Sequence, residues 1–165
     1  IHPLESWSKY PGVIDAAVSE YARDILVRGN EVGQMMKVVG EEGTTLEDYE
    51  LYLKGEFIDS VYLQQDSFDP VDAAVPPERQ RHLFGQLLRV LSARFDFGGK
   101  EMARFFFNQL RQKFLDYNGA EWQGEEFLRL EGEIASLLAT RRSGEDEGGR
   151  RALEALAAAA PGSPS

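Results

Sequence analysis

The chain has 165 residues, 42% of them hydrophobic, with 18 Lys plus Arg against 28 Asp plus Glu and a net charge of −10. That length suits one domain with a buried core and is short for two, and no run of about 18 apolar residues is present to span a bilayer. The acidic balance repels phosphate backbones and anionic lipid, which argues against nucleic-acid or direct bilayer binding. The absence of cysteine removes a disulfide framework and thiolate metal sites, and it suits a cytosolic protein.

The opening Ile1-His2-Pro3-Leu4 has no methionine, no basic leader and no cleavage-type segment, so the chain reads as a fragment of a longer polypeptide. After Pro11-Gly12, apolar residues at Val13, Ile14, Ala17, Val18, Tyr21, Ile25, Val32, Met35, Met36 and Val39 mark one face of a long helix. Gly29 and Gly33 weaken its middle, and Gly40 is placed to stop it. A second helix starts with Thr44 or Thr45 as N-cap and Glu47 and Asp48 in its first turn, where they complement the helix dipole. Its buried stripe is Leu46, Tyr49, Leu53, Phe57 and Val61. Together the two predict a helical hairpin with an acidic tip.

Gln64 to Pro76 reads as an ordered loop, because Phe68-Asp69-Pro70-Val71-Asp72 is too apolar for a flexible spacer. A third helix follows Pro76-Pro77 with Leu83, Phe84, Leu87, Leu88, Leu91 and Phe95 inward, and Gly98-Gly99 ends it. The fourth carries Met102, Phe105, Phe106, Leu110 and Phe114 and closes at Asn118-Gly119. The fifth runs from about Glu121 to Thr140 on Phe127, Leu130, Ile134, Leu137 and Leu138. Beyond Arg141 an Ala/Gly-rich tail begins, flexible or a short helix near Arg150 to Ala160, with little to pack against. The expected fold is all-α: a bundle of about five helices over residues 1–140, with an N-terminal hairpin and a tail over 141–165.

No pattern for bond chemistry stands out. Gly98-Gly99-Lys100 lacks the spacing of a phosphate loop and is followed by Glu101 where a hydroxyl residue is needed, so it reads as a turn between helices. His2 and His82 have no ligand-type partner at helical spacing. Asp66, Asp69 and Asp72 lack the alternation and glycine of a calcium loop and are explained by turns and capping. Two features exceed this background. The tip, Glu41, Glu42, Glu47, Asp48 and Glu50, is either a solvated face or an acidic knob for a basic partner. Phe68 is either core or a stacking surface for a flat ligand such as adenine.

Leu63-Gln64-Gln65-Asp66-Ser67-Phe68-Asp69-Pro70-Val71-Asp72 closely resembles a signature of the catalytic A (alpha) subunit of V/A-type ATP synthases. Pro76-Pro77-Glu78-Arg79-Gln80 is similar to the helix start that follows it in that family. His2-Pro3-Leu4-Glu5-Ser6-Trp7-Ser8 resembles the entry into the family's C-terminal helices, and Val18 to Gly40 resembles their first long helix. The resemblance is specific from Ile1 to about Leu91, loose through Leu138 and absent in the tail.

What the resemblance implies is the C-terminal helical domain of a rotary ATPase catalytic subunit. Phe68 would then line the adenine pocket, with Gln65 and Ser67 near it, and Glu41, Glu42, Glu47 and Asp48 would face the central stalk. Bond chemistry on ATP or ADP with Mg would lie upstream of Ile1. The partners implied are the non-catalytic B subunit and the central-stalk subunit, in a cytoplasmic sector peripheral to the membrane. The chain alone would be monomeric and inactive. The alternatives are a free-standing all-α interaction module with an acidic hairpin and an independent nucleotide-binding domain.

Overall fold

A computed structural model describes residues 16–63 and 77–158. The sequence expectations for Ile1 to Ile14, for the Gln64–Pro76 loop with Gln65, Ser67 and Phe68, and for the last seven residues therefore lie outside the described residues. Six helices are described: α1 (Ala16–Val39), α2 (Leu46–Ile58), α3 (Pro77–Ser92), α4 (Lys100–Gly119), α5 (Glu125–Arg141) and α6 (Glu147–Ala158). A π-helical turn, Asp59–Leu63, prolongs α2, and two short strands, β1 (Ala93–Phe95) and β2 (Arg142–Glu145), pair antiparallel. The all-α bundle expected from periodicity is the fold.

The hairpin forms because each boundary residue satisfies backbone groups that a helix end leaves unpaired. Gly40 adopts φ +80, a conformation few other residues tolerate, and its N–H donates to Met36 O at 2.8 Å. Thr45 is the N-cap of α2, its hydroxyl accepting from Asp48 N at 3.1 Å. Thr44 is instead buried and donates to Gly40 O at 3.0 Å. Between the arms, a Cβ on Gly29 would stand 2.9 Å from Leu51 O and 3.2 Å from Gly55 Cα. Gly29 thus lets the two backbones meet, which outweighs the helix propensity it sacrifices.

The core joins Val18, Ala22 and Ile25 of α1, Phe57 and Ile58 of α2, and Leu83, Phe84, Leu87, Leu88 and Leu91 of α3 to the inner faces of α4 and α5. Aromatic rings fill its centre: Phe57 meets Phe114 edge-on at 5.0 Å, and Tyr117 stacks on Phe127 at 4.3 Å. Two expected stripes are displaced. On α4 the buried apolar residues are Ala103, Phe106, Phe107, Leu110, Phe114 and Tyr117, while Met102 and Phe105 lie outside at 39% and 62% exposure. On α1 the buried face ends at Val32, and Met35 and Val39 are exposed. The arm outruns the core.

Helix α3 ends at Ser92 rather than at Gly98-Gly99, and Phe95 sits in a strand. Lys54 of α2 supplies the physical reason. Its ammonium donates to Leu91 O at 3.0 Å and Ala93 O at 2.9 Å, meeting carbonyls that another helical turn would have used. Ala93 and Arg94 then pair with Glu145 and Gly144.

That pairing brings the C-terminal segment onto the bundle. Asp146 N donates to Ser92 O at 2.6 Å, and the Asp146 carboxylate accepts from Gly149 N at 3.1 Å, capping α6. The same oxygen accepts from the Tyr21 hydroxyl at 3.0 Å. Ala152 and Leu156 of α6 are buried in the core. Strand β2 therefore sits on β1 and helix α6 packs against α1 and α3, where the composition suggests little to pack with.

Candidate functional site

The turn that closes the hairpin gathers the residues singled out for partner contact. Gly43 N donates to Gly40 O at 3.2 Å and Thr44 N to Glu41 O at 3.1 Å, so the turn is internally bonded. Helix α4 braces it from outside. Lys100 Nζ donates to Glu41 O at 2.5 Å, and Arg104 Nη1 donates to Glu41 Oε1 at 3.0 Å and to the Tyr49 hydroxyl at 3.0 Å. The hairpin's own sequence has no basic residue between Lys37 and Lys54, so this pairing is visible only in the fold.

The acidic tip therefore divides. Glu41 is engaged by α4, whereas Glu42 and Glu47 are exposed. Asp48 is half-buried, its backbone N–H taken by the Thr45 cap. Glu50 turns toward the bundle; burial pushes its carboxyl above the usual range, opposed by Lys54 and by a hydrogen bond from the Phe95 backbone.

The periodic reading passed over the apolar side of the same tip. Val38 is 86% exposed and Val39 49%, with Met35 beside them on the last turns of α1. Met36-Lys37-Val38-Val39 carries the signal: consecutive apolar residues on a helix cannot share one buried face. Next to a braced turn that carries the exposed Glu42, these side chains offer an apolar contact surface.

His82, which has no partner nearby in sequence, gains one in space. Its Nε2 pairs with Glu131, which also accepts from the Tyr117 hydroxyl at 2.6 Å. Burial alone would raise the Glu131 carboxyl, but the bonds from Tyr117 and His82 outweigh it and leave it below its ordinary value. This cluster ties α3, α4 and α5 together. Among the described residues no group of three or more His, Cys, Asp or Glu is placed to hold a metal ion. No described helix is long and apolar enough to cross a membrane.

Fold and tip define a helical domain that projects a braced, apolar-ended hairpin from a packed bundle. Residues 16–96 match the family described as the C-terminal domain of V and A type ATP synthase. The V-type ATP synthase alpha chain 1 of Treponema pallidum is 51% identical over 157 residues, covering 93% of this chain and 27% of its own length. The V-type ATP synthase alpha chain of Borrelia garinii subsp. bavariensis is 54% identical over 138 residues, 84% of this chain and 24% of its own. That of Treponema denticola is 47% identical over 154 residues, 93% of this chain and 26% of its own. The chain belongs to the C-terminal domain family of V/A-type ATP synthases.

The chain spans about a quarter of the length of these relatives. A match covering 93% of it necessarily enters the segment beyond Leu138, so the likeness runs further than the motif-bearing first half. No solved structure matches the chain significantly.

Proposed function

We propose that the chain is the lever end of the catalytic subunit of a rotary V/A-type ATP synthase. ATP binding and hydrolysis in the rest of that subunit, with Mg, swing the bundle, and the hairpin tip pushes the central stalk. Ion movement through the membrane sector follows, and synthesis runs the same lever backwards. The non-catalytic B subunit flanks the lever in a cytoplasmic sector peripheral to the membrane. The chain alone is monomeric and hydrolyses nothing.

The observation that carries this reading is the braced tip. A lever must transmit force without bending, and the turn is fastened by its own hydrogen bonds and by Lys100 and Arg104. Contact with the stalk falls on Val38, Val39, Glu42 and Glu47, with Asp48 at its edge, while Glu41 acts through the brace. Phe68, with Gln65 and Ser67 near it, completes the adenine pocket of the parent subunit.

The chain contains no cysteine, so a single engineered thiol in it reports cleanly. In the assembled enzyme, Val38→Cys paired with cysteines introduced along the central stalk should give a disulfide that stops ATP-driven rotation and is released by reductant. Failure of Val38→Cys to cross-link to any stalk position, while a cysteine elsewhere on the bundle does, would remove the hairpin from the rotor.

A further inference from the structure

A second surface differs from the rest of this acidic chain. Helices α3, α5 and α6 and strand β2 enclose a groove of about 970 Å³, which falls within the roughly 300–1,000 Å³ typical of small-molecule sites. Leu138 of α5 and Leu153 and Leu156 of α6 give it an apolar lining. Arg81 and Arg89 of α3 and Arg142 of β2 supply positive charge.

The charges do not cancel. Glu145 is the single carboxylate among the described lining residues, and it pairs with Arg142 at 3.3 Å. His82, also in the lining, is committed to Glu131, which Arg89 reaches only electrostatically. Arg81 is left over. Its Nε and Nη1 are buried with no hydrogen-bond partner among the described residues, a costly arrangement that native proteins rarely keep without a use. Arg81 already lines the groove.

We propose that this groove binds a small organic anion, a carboxylate or phosphate monoester on an apolar body. Arg81 and Arg89 take the charge, using the planar donor geometry that suits such groups. Leu138, Leu153 and Leu156 take the body. Such an occupant bridges α3, α5 and α6 and holds the C-terminal helix to the bundle. The site does not rest on the rotary reading, and each stands if the other fails.

Phenyl phosphate titrated into the ¹⁵N-labelled 165-residue chain tests it. Saturable shifts are expected at the Gly85 and Gly144 amides, with a dissociation constant of about 1 mM or tighter, together with a rise in Tm as ligand is added. Inorganic phosphate should bind more weakly because it cannot use the leucines, and equal binding of the two would overturn the apolar half of the site. R81Q and R89Q should each weaken phenyl phosphate by about tenfold, the loss of one charge-assisted contact. Arg89 is exposed, so R89Q decides the matter if R81Q does not fold. Absence of saturable shifts at both amides up to roughly 20 mM ligand, or wild-type binding by R89Q, would overturn the proposal. Saturation of these amides by a glutamate-bearing apolar peptide but not by phenyl phosphate would also overturn it, reassigning the groove to a protein segment.

Discussion

Arg104 donates to the Glu41 carboxylate at 3.0 Å, fastening the hairpin turn to a helix residue 63 positions further along the chain. Both partners are near half exposure, so the pair adds little to global stability. Its role is local. Arg104→Gln should leave the urea midpoint of the chain almost unchanged while raising amide exchange at Gly43 and Thr44. High salt should do the same to the parent chain. Unchanged exchange at both amides would show that the turn needs no help from Arg104 and is held by its own hydrogen bonds together with Lys100.

Lys54 carries a heavier structural load. Burial pushes its ammonium below the usual lysine range, with Glu50 and Asp146 opposing, and it serves the carbonyls of Leu91 and Ala93. Lys54→Met keeps the stem but leaves those acceptors without their donor, at a cost of about 1–3 kcal/mol. Equilibrium urea unfolding should register that loss, with the strand pair and α6 exchanging faster. A variant as stable as the parent would mean water replaces the ammonium fully.

At Gly29 the hairpin arms touch. Gly29→Ala improves helix propensity by roughly 1 kcal/mol, yet its Cβ would stand 2.9 Å from Leu51 O. The overlap is with backbone, which cannot rotate away, so the net change should be a destabilisation of about 1–3 kcal/mol. Stabilisation on thermal unfolding would show that the arms are further apart in solution.

How much of this was legible in the sequence follows from range. Gly40 and the Phe127–Leu138 stripe act through residues within a turn or two, so periodicity and composition place them, while the cap stays open between Thr44 and Thr45 until the fold assigns it to Thr45. Gly29 read as a weak point because its reason, the backbone of α2, lies 22 to 26 residues away. The end of α3 at Ser92 depends on Lys54 and on pairing with residues 142–145, which no local window contains. On α4, Phe105-Phe106-Phe107 offers three aromatic residues in a row, and only packing decides that the first faces solvent. The Glu41 brace was hidden for the same reason, and the apolar tip was hidden by assigning Met35 and Val39 to the core stripe.

Burial raises four tyrosines, and the two shifted furthest, Tyr21 and Tyr117, make stability most sensitive to alkali. Burial first, then the charge and hydrogen bond of Asp146, push the Tyr21 hydroxyl well above its ordinary value. Burial first, then the bond to Glu131, does the same for Tyr117. Their folded values are raised, so their contribution is fully present below the unfolded tyrosine value of about 10. Above that, the unfolded chain releases protons first and stability falls as pH rises toward the folded values. The urea midpoint should hold from about pH 8 to 9.5 and decline beyond about 10, less steeply in Tyr21→Phe/Tyr117→Phe. Equal slopes in the two chains would assign the decline to other groups.

The proposed drive of the rotor by the hairpin end is decided by Val38→Asp in the assembled enzyme. Val38 is 86% exposed, so the change should leave folding intact. A charge placed in an apolar contact should weaken that contact by about 2 kcal/mol or more. ATP hydrolysis should continue while ions moved per ATP hydrolysed fall well below the parent ratio. An unchanged ratio in a correctly assembled Val38→Asp enzyme would contradict it.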